Sequence, residues 1–293
     1  MRERLRRLFP AGVRYMAAAA LAFSLMSLFV KMAGRRLPTM EIVLARGVVL
    51  VSVTWVLLRR AGLDPRGNRR DLLLLRGVLG FVALTCFFSA LVHLPLADAT
   101  VIQYTNPAWT ALLAAAILDE RLKGREVAGI VASLAGVVLI ARPTFLFRAG
   151  GVRLDPLWLG VALAGAVVSA AAYVTVRKLG SSDDPLVIVF WFSVVNAVAA
   201  VPAAAPVAVW PTPTEWVLLA AVGLSALAGQ VFMTNGLKRE RAGRAMSVAY
   251  LQIVFAALWG ALVLGEIPDV WVAGGALLVM GGTYVTGRRS AAD

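Results

Sequence analysis

Apolar residues fall in ten runs of 18 to 24 residues, broken by charged or Pro/Gly clusters. The runs cover 14–33, 41–58, 72–92, 98–118, 125–142, 156–177, 186–209, 215–237, 243–264 and 269–287. A helix needs roughly 20 apolar residues to cross the hydrocarbon of a bilayer, so each run is long enough to span it. The pattern predicts an all-α integral membrane protein of ten transmembrane helices. The connections are short, and none leaves room for a soluble output domain such as a sensor or scaffold would need.

Composition sharpens this picture. Of 293 residues, 60% are hydrophobic and 15% charged, against about 45–50% and 25% in soluble domains. The net charge of +13 would suggest nucleic acid in a soluble chain. Here the basic residues lie between the runs, where they mark cytoplasmic loops instead, so no nucleic-acid partner is expected. Arg2, Arg4, Arg6 and Arg7 precede the first run in the manner of a secretory signal; nine further runs make it a retained first span.

Loop charge sets direction. With both termini in the cytoplasm, 22 of the 29 basic residues fall inside, and six fall outside: Lys31, Arg35, Arg36, Arg142, Arg148 and Arg153. Arg76 is counted with the inner group, which leaves Arg46 as the one charge well inside a span.

A shift of 146 residues brings the halves into register. It pairs Tyr104 with Tyr250, Glu120 with Glu266, Gly77 with Gly223, Gly129 with Gly275 and Gly136 with Gly282, without a gap. This predicts a duplication, with a first repeat over 1–146 and a second over 147–293. Five crossings are an odd number, so the second copy enters the membrane from the opposite side. Inverted repeats are the architecture of secondary transporters, with the substrate site near the midplane where the repeats meet.

The stretch LPLADATVIQYTNPAWTALLAAAILDERLKGREVAGIVASLAGVVLIAR, residues 94–142, closely resembles the end of an EamA repeat of the drug/metabolite transporter superfamily. The motif that closes its helix reads Asp119-Glu120-Arg121, with Asp where Gly is common, and the second copy offers Gly265-Glu266. Arg46, in LARGVVL, also looks like the family pattern. The resemblance implies a ten-helix metabolite transporter, often an exporter, and leaves open amino acids, nucleobases, S-adenosylmethionine and sugar-linked nucleotides as substrates.

Polar side chains within spans mark the expected pathway. Thr100, Gln103, Asn106, Pro107 and Thr110 recur three or four apart and share one helical face. Pro107 lacks an N–H, frees the carbonyl of Gln103 and kinks the helix. The equivalent ninth span carries Tyr250, Gln252 and Trp259 but no proline, so the two halves are not expected to bend alike. Arg46 offers paired hydrogen bonds to a carboxylate or phosphate, or it pairs with Glu41 or Asp98. The candidate substrate-binding residues are Arg46, Gln103, Tyr104, Asn106, Trp109, Gln230, Asn235, Tyr250 and Gln252. The alternative for each amide or ring is interhelical packing.

One histidine, His93, and one cysteine, Cys86, supply neither a metal site nor a catalytic constellation, so no cofactor and no enzyme activity are expected. No Asp or Glu falls near the middle of a span, which argues against proton-coupled export of lipophilic cations. These features favour a secondary transporter of a small zwitterionic or anionic metabolite, an amino acid or derivative first, in a bacterial inner membrane. Nucleobase- or S-adenosylmethionine-like substrates, a lipid flippase and a cationic-drug exporter are the alternatives. Glycines in spans five and ten, Gly129, Gly136, Gly274, Gly275, Gly281 and Gly282, serve either the joining of the halves or a homodimer.

Overall fold

The computed structural model describes residues 10–94, 96–147, 154–265 and 269–287. Glu266, Arg148, Arg153 and the basic residues 2–7, 288 and 289 lie outside them. The described residues form helices without strands. In chain order these are α1 (Ala11–Ala33), α2 (Thr39–Arg60), α3 (Arg70–His93), α4 (Leu96–Gln103), α5 (Asn106–Leu118), α6 (Gly124–Ala141) and the short α7 (Thr144–Phe147). They continue as α8 (Pro156–Leu179), α9 (Pro185–Ala204), α10 (Pro213–Arg239), α11 (Ala242–Ala249), α12 (Leu251–Leu264) and α13 (Val270–Gly287).

Nine helical segments among the described residues are long and apolar enough to cross a membrane, α11 and α12 together making one of them. The fourth expected span is divided into α4 and α5 at Tyr104–Thr105. Large apolar side chains face outward along the bundle, among them Val198, Leu262 and Leu277. A surface that water would penalise is at home in lipid, so this is a multi-pass membrane protein. Trp210 and Trp216 pack edge to face where α9 meets α10, the place of an interfacial aromatic belt.

Helix starts follow from capping chemistry. Asp155 and Asp184 each accept a bond from the backbone N–H two residues on, with Pro156 and Pro185 in the first turn. Thr212 and Glu215 form a capping box ahead of α10. Two helix ends share one device: Asp119 closes α5 at φ 53°, and Gly265, 146 positions later, closes α12 at φ 71°. The left-handed region suits glycine and is tolerated by aspartate, which accounts for Asp where the family motif commonly has Gly.

The same interval runs through the whole element order. Residues 96–103 and 242–249 are both helices, as are 124–141 and 270–287. Their packing is reciprocal. Where α6 crosses α13, a Cβ on Gly136 would come within 2.5 Å of the carbonyl of Gly275, and one on Gly282 within 2.7 Å of the carbonyl of Gly129. The backbones therefore touch, and no side chain fits between them. Gly77 of α3 likewise lies against Val195 of α9, and Gly223 of α10 against Val49 of α2. Each contact maps onto its counterpart under the 146-residue shift.

Candidate functional site

The close approach of α9 to α2 and α3 places Phe192 beside two guanidinium groups. Its ring centroid lies 4.2 Å from Cζ of Arg76 and 5.9 Å from Cζ of Arg46. Gly80, one turn beyond Arg76, provides the room: a Cβ there would sit 2.5 Å from Nη1 of Arg76 and 2.6 Å from the Phe192 ring. Arg76 is 3% exposed. Its Nε and Nη1, and Nε of Arg46, are buried without a hydrogen-bond partner, whereas other surface of Arg46 remains open.

Neither guanidinium is in an ion pair among the described residues. The partners considered for Arg46 are engaged elsewhere. Glu41 accepts from the backbone N–H of Val209 at 2.9 Å, and Asp98 accepts from both the N–H and the hydroxyl of Thr144. The reading of Arg46 as the one deep charge is thus corrected. Arg76 lies near the start of its apolar run, where a cation ordinarily snorkels to the interface. Here α8 and α9 pack over it and hold it inside.

Tyr173 of α8 is partly buried and packs against the core that holds Val176 and Ile188. Tyr104 stacks on Tyr250, centroids 6.2 Å apart and planes at 24°. Both rings stand at helix interruptions. Around the first, Thr105 N–H donates to the carbonyl of Ile102 and Ala108 N–H to that of Thr105, both at 3.0 Å, and Pro107 takes the first turn of α5. The second interruption, at Tyr250, arises without a proline, with Ile253 N–H donating to the Tyr250 carbonyl at 3.1 Å. Both halves are therefore interrupted at the equivalent place, with and without a proline. A tightened i to i−3 bond interrupts each helix, and proline is not its sole cause.

The other expected residues divide. Gln103 and Gln252 flank the two interruptions and are partly open, and Asn106 and Gln230 are buried. Asn235 is bound locally: Nδ2 donates to the Val231 carbonyl at 2.9 Å, and Oδ1 accepts from Arg239. Trp109 is 37% exposed on the side of α5 that carries the exposed Leu112, away from the buried face of Asn106 and Thr110. Tyr250 is fully buried, with its hydroxyl unpartnered. Sequence reasoning missed Arg76 and Phe192. The constant interval could have found Phe192, because it stands 146 positions after Arg46.

The two ends of the bundle are tied differently. At one end Glu120 accepts from Nε of Arg177 and from the backbone N–H of Ala242, both at 2.8 Å. Arg177 also donates to the carbonyls of Leu237 and Lys238. At the opposite end Arg36 donates through Nε to Glu215 at 2.7 Å, and Arg142 pairs with Asp269. The Asp269 carboxyl is held below the ordinary carboxylate range, first by the N–H of Val272 and further by Arg142.

Buried cations without counter-ions, broken helices and a lipid-facing exterior are the marks of a membrane transporter. Comparison with known proteins agrees. The EamA-like transporter family matches the chain twice, over residues 10–142 and 156–288, and the chain belongs to that family. It is 35% identical to the pseudopaline exporter CntI of Pseudomonas aeruginosa over 275 residues, covering 93% of this chain and 95% of that one. It is 32% identical to human solute carrier family 35 member G1, covering 92% of this chain and 76% of that one. A crystal structure 23% identical in sequence shares the fold, with a TM-score of 0.80 over 94% of this chain and 95% of the other.

Proposed function

We propose that the protein is a secondary transporter exporting a small zwitterionic or anionic metabolite, an amino acid or derivative first among these, across a bacterial inner membrane. The observation that carries this reading is Arg46, a guanidinium within the membrane whose Nε has no partner. A fixed cation that the protein does not neutralise is suited to an anionic group of the cargo. The export direction is supported by the relative named as an exporter.

In this reading α4 with α5, and α11 with α12, each make one interrupted crossing, for ten in all. Residues 1–146 and 147–293 are then two repeats of opposite orientation, with both termini cytoplasmic. The reciprocal glycine contacts and the two family matches, 146 residues apart, support that arrangement. Exchange of conformation between the repeats would alternate access to the site. Tyr104 and Tyr250 stack on each other, and Tyr250 is fully buried, which favours the amino-acid reading over the nucleobase one.

The test is counterflow in proteoliposomes loaded with single amino acids, nucleosides, S-adenosylmethionine or quaternary ammonium cations. Saturable exchange of an amino acid or organic acid, abolished in Arg46→Ala, is expected. Exchange of cations alone, indifferent to Arg46, would overturn the proposal.

A further inference from the structure

We infer that the cargo carries two negative groups, held by Arg46 and Arg76 together. The inference rests on the transporter reading above and narrows its substrate class. The two guanidinium carbons lie 5.9 and 4.2 Å from one ring centroid, so they are at most about 10 Å apart. A single buried charge without a partner is costly, and a second beside it raises the cost. The Phe192 ring face offsets part of this for each cation, but a ring accepts no hydrogen bond of the kind that a guanidinium fork makes.

The unused donors set the requirement. Nε and Nη1 of Arg76 and Nε of Arg46 are buried and unpartnered. Three donor nitrogens on two planar forks match two carboxylates, each able to accept two or more bonds. One carboxylate brings a single negative charge to two cations and leaves one of those charges uncompensated. Gly80 lets the Arg76 guanidinium lie against its backbone and the Phe192 ring, since any side chain there would displace it. A small dicarboxylic acid, with or without an amino group, therefore matches the two cations in charge, and a monocarboxylate does not.

The same reasoning makes Arg76 expensive to the empty protein. Replacing a buried unpaired cation by a neutral side chain of similar length is neutral or stabilising. A cation kept for structure alone would show the reverse.

The experiment is thermal stabilisation of the full-length protein in detergent by glutarate, malate and glutamate. Butyrate, alanine and glutamine serve as singly charged or neutral-net counterparts. Wild type, Arg46→Gln, Arg76→Gln and Arg76→Lys are compared. We expect at least one diacid to bind wild type tenfold or more tightly than its counterpart. Arg76→Gln should abolish that preference and raise the melting temperature of the ligand-free protein, and Arg76→Lys should restore part of the preference. Equal binding of diacids and counterparts, sensitive to Arg46→Gln but not to Arg76→Gln, would overturn the two-cation site and leave the anionic reading standing. A response only to cations or nucleosides would overturn both. Silence toward all three diacids, or a lowered melting temperature in Arg76→Gln with binding unchanged, also counts against the clamp.

Discussion

Arg46 and Phe192 stand 146 positions apart, at the same place in the two halves of the sequence, and the guanidinium of one lies 5.9 Å from the ring centroid of the other. Tyr104 and Tyr250 are likewise equivalent in sequence and stacked in space. In a molecule with two-fold related halves, equivalent positions meet only on the axis. Under the proposed repeat arrangement, these two pairs trace the line about which the halves would exchange, and Arg46 stands beside it. A site on the axis is reached from either side as the halves swap conformation.

Arg46→Ala should reduce transport at least 30-fold, the equivalent of about 2 kcal/mol for a desolvated charge contact. Gln103→Ala, which removes one amide beside the helix interruption, should cost about tenfold, or roughly 1.4 kcal/mol. Proteoliposome uptake gives the rates, and an unchanged elution profile shows that folding is intact. Normal transport by both variants would place the site elsewhere.

Glu120→Gln weakens the tie among Arg177, Ala242 and the end of α10. The pair is partly buried, with side chains 26% and 14% exposed, so a loss of about 1.5–3 kcal/mol is expected. In a Cys86→Ser background, a cysteine introduced in place of Ala242 should react faster with a polar maleimide when Glu120→Gln is added. Unaltered labelling would show that the Glu120 carboxylate does not hold that end closed.

Two adjacent glycines should respond oppositely to alanine. Gly281→Ala meets open space and gains about 0.5–1 kcal/mol from a stiffer helix. Gly282→Ala drives a methyl against the backbone of α6 and should cost about 1–3 kcal/mol. Thermal melts of the two variants decide the matter, and a shared sign would refute the tight crossing.

Asp119→Gly should stabilise the protein by about 0.5–1 kcal/mol. It replaces an L-residue at φ 53° with the residue that Gly265 already supplies in the second half. The reciprocal Gly265→Asp should lower the melting temperature.

Much of this was legible in the sequence. Crossing segments declare themselves by length and apolarity, and a fixed interval shows in any pair of rare residues such as Tyr104 and Tyr250. What a residue faces is harder to read. Arg76 sits near a run end, and only the packing of α8 and α9 turns an apparent anchor into a buried cation. Trp109 neighbours Thr110 in sequence but is 37% exposed where Thr110 is fully buried, because about 100° of rotation per residue turns it out of the buried face. Asn235 looks available until Arg239, one turn on, occupies it. The interruption at Tyr250 carries no proline to announce it.

A crossing in which Gly129 meets Gly282 and Gly136 meets Gly275 can be built by two copies of one shorter chain inserted in opposite senses. Such a pair would be bound by identity: whatever stands at position 46 would confront itself, and an arginine there would face an arginine. Joining the copies in one polypeptide lifts that constraint. In this chain position 46 carries the cation and position 192 the ring beside it, a pairing that two identical copies do not allow.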